Sequence, residues 1–228
     1  MPLHCFAIIT LTFLIGVTNA ASQEEIICPG NVAFTTRNPA AEPHWNCSTT
    51  GDMQICSRAV PGSSIREVLA KAVIAAPSAR VFAVISDDSR YPEFMPYVTE
   101  SEIVKNEAGE FWVFQQLDLP WPISDRYYTI HLLDDLSCAA QGAYRLQWNL
   151  VRDDPSLRKG VGEPTLVNVG AWELQPDNTG TSTSVTYFIH TDPGGALPAW
   201  VINMANNVAV PKIIEAVRQR VQETQTRD

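Results

Sequence analysis

Arg126 is the residue in this chain most able to do chemistry. It sits in LDLPWPISDRYYTIHLL, residues 117 to 133, just after two prolines that end one strand-like run and at the start of another. If the second run alternates, Arg126, Tyr128, Ile130 and Leu132 share one face, and Tyr127, Thr129, His131 and Leu133 share the other. A guanidinium set among an aromatic and two aliphatics must be paired, reach water or meet the polar end of a ligand, because desolvating it unpaired is costly. The preceding run, FWVFQQLDL, offers the amides of Gln115 or Gln116, which accept a hydrogen bond without neutralising the charge. Asp118 and Asp125 are the carboxylate candidates. An exposed pair with either of them would be worth little.

Other reactive residues form no recognisable constellation. His131 and His190 fall on different strand-like runs without clustered carboxylates or cysteines, which is a poor metal site. No serine stands in a G-x-S-x-G elbow, and no glycine-rich loop could cradle a phosphate. No catalytic residue, metal or cofactor is therefore expected. The formal net charge is −9, and the 16 Lys and Arg are scattered along 228 residues. That pattern leaves no footprint for nucleic acid or anionic lipid.

The first 21 residues read as a signal peptide, with an apolar stretch from Phe6 to Val17 and small residues at Thr18, Ala20 and Ala21. The run is too short for a comfortable membrane span. Export to the periplasm or outside the cell would leave Cys28, Cys47, Cys56 and Cys138, an even set open to three pairings. Cys47 with Cys56 is favoured, because CSTTGDMQIC places turn residues between them. Cys28 with Cys138 would follow. Small buried thiols are the alternative.

Periodicity supplies the elements that must position these residues. Residues 22 to 44 form an irregular, cysteine-containing arm. DMQICSRAVPGSSIREVLAKAVIA reads as a hairpin around Pro-Gly, and Val81, Phe82 and Ile85 mark one face of a helix that stops near Asp87. Strand runs begin at VTESEIVK, EFWVFQQLD, RYYTIHLLD, YRLQWNLVR, TLVNVGAWELQ and TSVTYFIHT, with turn residues between them. That regular spacing predicts an antiparallel sheet of hairpins rather than βαβ units. Leu197, Val201, Met204 and Val208, followed by Ile214, Val217 and Val221, predict a long final helix kinked or interrupted at Pro211. The fold class is α+β.

In this order, Trp45 with SRAVPGSSIRE, RYPEFMPYVTESEIV, LPWPISDRYYTI, GAWELQP and HTDPGGALPAWVINMANNVAVPK resembles the START lipid-transfer domains of the birch-pollen-allergen-like helix-grip superfamily. The resemblance spans residues 45 to 228, of which roughly 45 to 225 carry the motifs. It implies a curved antiparallel sheet gripping the C-terminal helix around an apolar tunnel for one lipid-like molecule. It also implies that the arginine of the central motif lines that tunnel. Arg126, Tyr128, Ile130, Gln116, Phe114, Trp148, Tyr187, Trp200, Val201, Met204 and Val208 are then the expected ligand contacts. Each of the aromatics is, taken alone, more ordinarily core.

Three functions compete on these grounds. The expected one is a non-enzymatic exported carrier of a sterol, fatty acyl or phospholipid-like molecule, acting as a monomer with transient membrane contact. A polyketide cyclase-like enzyme using Tyr128, Arg126 and His190 is the second. A filled-core module without a ligand is the third.

Overall fold

Strands that alternate apolar and polar residues bury one face only by sharing a sheet, and a helix with an apolar stripe can close that face. The computed structural model describes residues 26–29, 32–121, 123–152, 154 and 157–226, and arranges them in this way. The expected leader at residues 1–21 lies outside the described residues.

The arm differs from expectation, because it carries a small two-stranded ladder of β1 (Ile26–Cys28) and β2 (Val32–Phe34). The main sheet begins with β3 (Asn46–Thr50), β4 (Met53–Arg58) and β5 (Glu67–Ile74). Helix α1 (Ser78–Ile85), a 3-10 turn at Asp88–Arg90 and the short α2 (Tyr91–Phe94) follow. Then come β6 (Val98–Glu107), β7 (Glu110–Leu117), β8 (Arg126–Asp135), β9 (Tyr144–Leu150), the two-residue β10 (Glu163–Pro164), β11 (Val167–Pro176) and β12 (Thr183–Asp192). The chain closes on α3 (Ala199–Gln225).

Strand order is β3-β4-β5-β12-β11-β9-β8-β7-β6, antiparallel throughout, and β10 adds a parallel pairing to β8 opposite Arg126 and Tyr127. Sequence periodicity had no hold on β10, since two residues are too few to show a period. The exposed edge strand β6 carries Glu100, Glu102, Lys105 and Glu107 and two register irregularities, devices that discourage edge-to-edge pairing.

Ile74, Val81, Ile85, Leu146, Trp172, Leu174, Ile214 and Val217 build the core between sheet and helices. Helix α3 runs unbroken through Pro211, where an interruption was one expectation. Its second half is anchored by buried Ile214, Val217 and Val221, and by Arg220, which pairs with Glu93 of α2.

The arm lies over the sheet face opposite the helix. Glu173 on β11 is buried there and accepts from the Arg37 backbone N–H at 2.7 Å and from Arg37 Nη1 at 2.6 Å. Arg145 donates to the Thr35 carbonyl at 2.5 Å and stacks over the Phe34 ring. Cys28–Cys138 staples this cover to the loop after β8, and Cys47–Cys56 joins directly opposed residues of β3 and β4. Both favoured pairings are present in the structure.

A cross-link over a longer loop removes more entropy from the unfolded chain. Eliminating Cys28–Cys138, with a separation of 110 residues, should therefore cost more than eliminating Cys47–Cys56, with a separation of 9. We expect Cys28→Ala/Cys138→Ala to lose about 4 kcal/mol in denaturant unfolding and Cys47→Ala/Cys56→Ala about 2–3 kcal/mol. Equal losses would show that the arm is held by its side-chain contacts rather than by the staple.

Candidate functional site

Sheet and helix do not close on each other. Between them lies a cavity of about 450 Å³, within the roughly 300–1,000 Å³ range of small-ligand pockets. Arg126, Tyr128, Ile130 and Leu132 of β8 all line it, so the alternation expected along that strand holds. Trp148, which pairs with Leu132, and Tyr187 continue the sheet wall with Trp172, Asn168 and Ile189. Gly170 lies directly across from Trp148, and a Cβ there would come within 2.2 Å of the indole, so the glycine is what lets the indole lie against β11. Val201, Met204 and Val208 line the cavity from α3, but Met204 and Val208 are more than half exposed and therefore form its mouth. Leu119, Pro120 and Ile123 border it from the β7–β8 loop.

Arg126 is buried, yet its partners are not those expected. Its Nε donates to the Pro193 carbonyl at 2.6 Å and its Nη2 to the Gly194 carbonyl at 3.1 Å. Nη1 donates to the carbonyls of Ser124 at 2.5 Å and Asp125 at 3.0 Å, and to Ser124 Oγ at 3.1 Å. No described carboxylate lies within salt-bridge distance, so neither Asp118 nor Asp125 pairs with it, and no glutamine side chain reaches its guanidinium. Gly194 and Gly195 adopt positive φ, which turns the carbonyls of Pro193 and Gly194 onto the arginine. A Cβ on Gly195 would lie 2.8 Å from Arg126 Nη2 and 2.6 Å from Glu163 Oε2. The guanidinium thus ties the start of β8 to the turn that launches α3.

Three expected contacts stand off the wall. The β7–β8 register sets Gln115 opposite Tyr128 and Gln116 opposite Tyr127, so Gln115 faces the cavity and Gln116 faces away. Gln116 clamps the loop after β9 instead, accepting from the Val161 N–H at 2.8 Å and donating to its carbonyl at 3.0 Å. Phe114 shares that outer face and is buried beneath Arg158, which also pairs with Glu100 and Glu102. Trp200 is 68% exposed on the outer side of α3, beside Val201 rather than over the cavity. His190 also points to the face away from the cavity, with Nδ1 buried and lacking a partner.

Polar groups inside the cavity are few. Tyr128 donates to Gln115 Oε1 at 2.6 Å, Trp148 donates to Asn168 Oδ1 at 2.9 Å, and Tyr91 donates to the Ile85 carbonyl at 2.6 Å. Burial pushes the Tyr91, Tyr128 and Tyr187 hydroxyls above their ordinary range. Asp88 is the group that sequence reasoning missed. The doublet Asp87-Asp88 reads as a surface turn, and the tertiary packing of the 3-10 turn, which contacts β6 and α2, buries its second member. Burial pushes the Asp88 carboxyl up to about 7, with Asp134 and then Asp87 adding like-charge repulsion and its own backbone N–H opposing the shift. Among the described residues, no three His, Cys, Asp or Glu gather as a metal site.

An antiparallel sheet wrapped on a C-terminal helix, with an apolar cavity between them, defines a helix-grip domain of the START type. Residues 74–218 match the family described as polyketide cyclase/dehydrase and lipid transport, and the chain belongs to that family. It is 27% identical to an uncharacterized protein of Pseudomonas aeruginosa over 175 residues, covering 75% of this chain and 83% of the relative. It is similar to the crystal structure of a STAR-related lipid transfer protein (fragment 25–204) from Xanthomonas axonopodis, with a TM-score of 0.68 and 28% identity, covering 78% of this chain and 98% of that one. Human StAR-related lipid transfer protein 5 shares the fold at a TM-score of 0.72 and 14% identity, covering 80% of this chain and 88% of that one.

The Asp88 carboxyl predicts how stability follows pH. It ionises near 3.8 when unfolded and near 7 when folded, so the folded state holds the extra proton between these values. Stability therefore falls as pH rises through that window and levels off above it. The loss is on the order of 4 kcal/mol at 1.36 kcal/mol per pH unit. Asp88→Asn cannot ionise. It should raise the unfolding free energy at pH 8 by about 2–4 kcal/mol and change it little at pH 4. Equal gains at both pH values would count against a buried, proton-holding Asp88.

Proposed function

We propose that the protein is a non-enzymatic carrier, exported to the periplasm or outside the cell, that holds one sterol, fatty acyl or phospholipid-like molecule between its sheet and α3. The observation that carries this reading is the open apolar cavity of about 450 Å³, where a filled-core module would have packed side chains. Burying ligand carbon there contributes about 25 cal/mol per Å² before the costs of association. Lipid transport in the family description supports the ligand class, and the two disulfides suit an oxidising compartment.

Native mass spectrometry and organic extraction of the purified full chain test the proposal. A stoichiometric hydrophobic molecule, recovered chemically unchanged, is the expected result. Ile130 lies in the middle of the β8 wall, and Ile130→Trp should fill the cavity. That variant should fold and lose the molecule; retention at the wild-type level would sink the carrier reading.

Loading requires contact with a membrane. Trp121 is 93% exposed beside the mouth residues Pro120 and Ile123, and Trp200 stands out beside Val201. Tryptophan favours the membrane–water boundary, and a net charge of −9 gives no attraction to anionic lipid. Trp121→Ala/Trp200→Ala should therefore weaken partitioning onto neutral phosphatidylcholine vesicles about tenfold or more and slow ligand loading from them, at an unchanged melting temperature. Loading at the wild-type rate would remove the two tryptophans from the docking surface.

A further inference from the structure

The carrier reading leaves one cavity group without a task. Asp88 is 4% exposed and lines the cavity, yet among the described residues no group beyond its own backbone N–H stabilises its carboxyl. Arg126 and Asp88 are the charged residues of the wall, and they do not meet. The β8 wall from Arg126 to Leu132 spans about 20 Å at roughly 3.3 Å per residue. Asp88 has Asp134, beyond Leu132, and the hydroxyls of Tyr91 and Tyr128 as its neighbours, and no hydrogen bond or ion pair joins it to Arg126. Asp134, which is not itself a lining residue, has a buried Oδ1 without a partner among the described residues. The cavity wall at Asp88 therefore holds hydrogen-bonding capacity that the described residues do not use, in a setting where unpaired polar groups are rare and costly.

Resting on the carrier reading, we infer that Asp88 forms a second polar subsite, separate from Arg126, that receives a hydroxyl group of the ligand. The ligand class is then a hydroxyl-bearing amphiphile rather than a plain hydrocarbon chain. The groups facing Asp88 favour a hydroxyl over other polar ends. Asp87 in the same turn and Asp134 on β8 are acidic, while Tyr91 of α2 and Tyr128 of β8 spend their hydroxyls on the Ile85 carbonyl and Gln115. None of them supplies a cation, and a buried carboxyl without a partner can be met in either protonation state by a group that both donates and accepts. A hydroxyl donates to the carboxylate and accepts from the acid, whereas an ammonium can only donate and a carbonyl can only accept.

Binding of hexadecanoic acid and of 16-hydroxyhexadecanoic acid to the delipidated full chain tests this, by titration calorimetry at pH 7. Wild type should bind the hydroxy acid about tenfold more tightly, the scale of one hydrogen bond to a charged group. Asp88→Leu should abolish that preference while keeping or improving affinity for hexadecanoic acid. Asp88→Asn, which keeps the shape but makes only neutral hydrogen bonds, should reduce it to about threefold and gives the answer if Asp88→Leu does not fold. Equal affinities of wild type for the two acids overturn the subsite and leave the carrier reading standing. Failure of wild type to bind either acid or any lipid overturns the carrier reading, and the subsite with it.

Discussion

A buried guanidinium must find acceptors, and at Arg126 that demand organises one end of the molecule. Its hydrogen bonds go to carbonyls of two segments distant in sequence, at Ser124 and Asp125 and at Pro193 and Gly194. The second pair is presented only because Gly194 and Gly195 adopt a backbone conformation that other residues resist. Where α3 starts, and so where the cavity opens, follows from satisfying one side chain. Carbonyl dipoles solvate the charge without cancelling it. That distinguishes this site from a buried ion pair, whose two charges would cancel each other and leave less field for a guest.

The two faces of the sheet are managed by different means. The face opposite the helix is covered by the arm through Glu173, Arg37, Arg145 and a disulfide, contacts that are short, charged and covalent. The inner face is covered by α3 through apolar packing, continuous from Val210 onward and carried before it by Ile202, while Met204 and Val208 stay exposed. Glycine at position 170 lets Trp148 lie against the wall, while Asp88 adds a carboxyl to a lining that is otherwise mostly apolar. The cavity survives because its boundary is rigid on the sheet side and incomplete on the helix side.

What could be read from sequence depended on whether the signal was local. Alternation within β8 correctly put Arg126, Tyr128, Ile130 and Leu132 on one face, because period two is a property of a single strand. The choice between Gln115 and Gln116 was not local. It depends on the register between β7 and β8, and a shift of one residue exchanges the faces, which is how Gln116 and Phe114 came to be expected in the cavity. Trp200 was misjudged by a single helical step, about 100° of rotation from Val201. Asp88 carried no periodic signal, since its burial comes from tertiary packing of a three-residue turn. The partners of Arg126 were backbone carbonyls, which every sequence possesses and none advertises.

Pro211 divides α3 at the point where its environment changes. Lacking an N–H, it leaves the Asn207 carbonyl without its helical donor, so the two halves of the helix are joined by one hydrogen bond fewer than a continuous ladder would provide. Residues 199 to 211 then form a stiff segment about 18 Å long at roughly 1.5 Å per residue. It is held at its base by Val210 and along its length by buried Ile202, by Asn203, which accepts from the Arg66 N–H at 2.8 Å and donates to the Ser64 carbonyl at 3.2 Å, and by Asn206, which donates to the Thr191 carbonyl at 3.4 Å. Geometry gives such a segment leverage, since a swing of about 20°, the size of an ordinary proline kink, would move its start by roughly 6 Å and would have to break those contacts. The missing hydrogen bond thus marks the point of least resistance along α3, and the two asparagines tie the stretch before it to the sheet side.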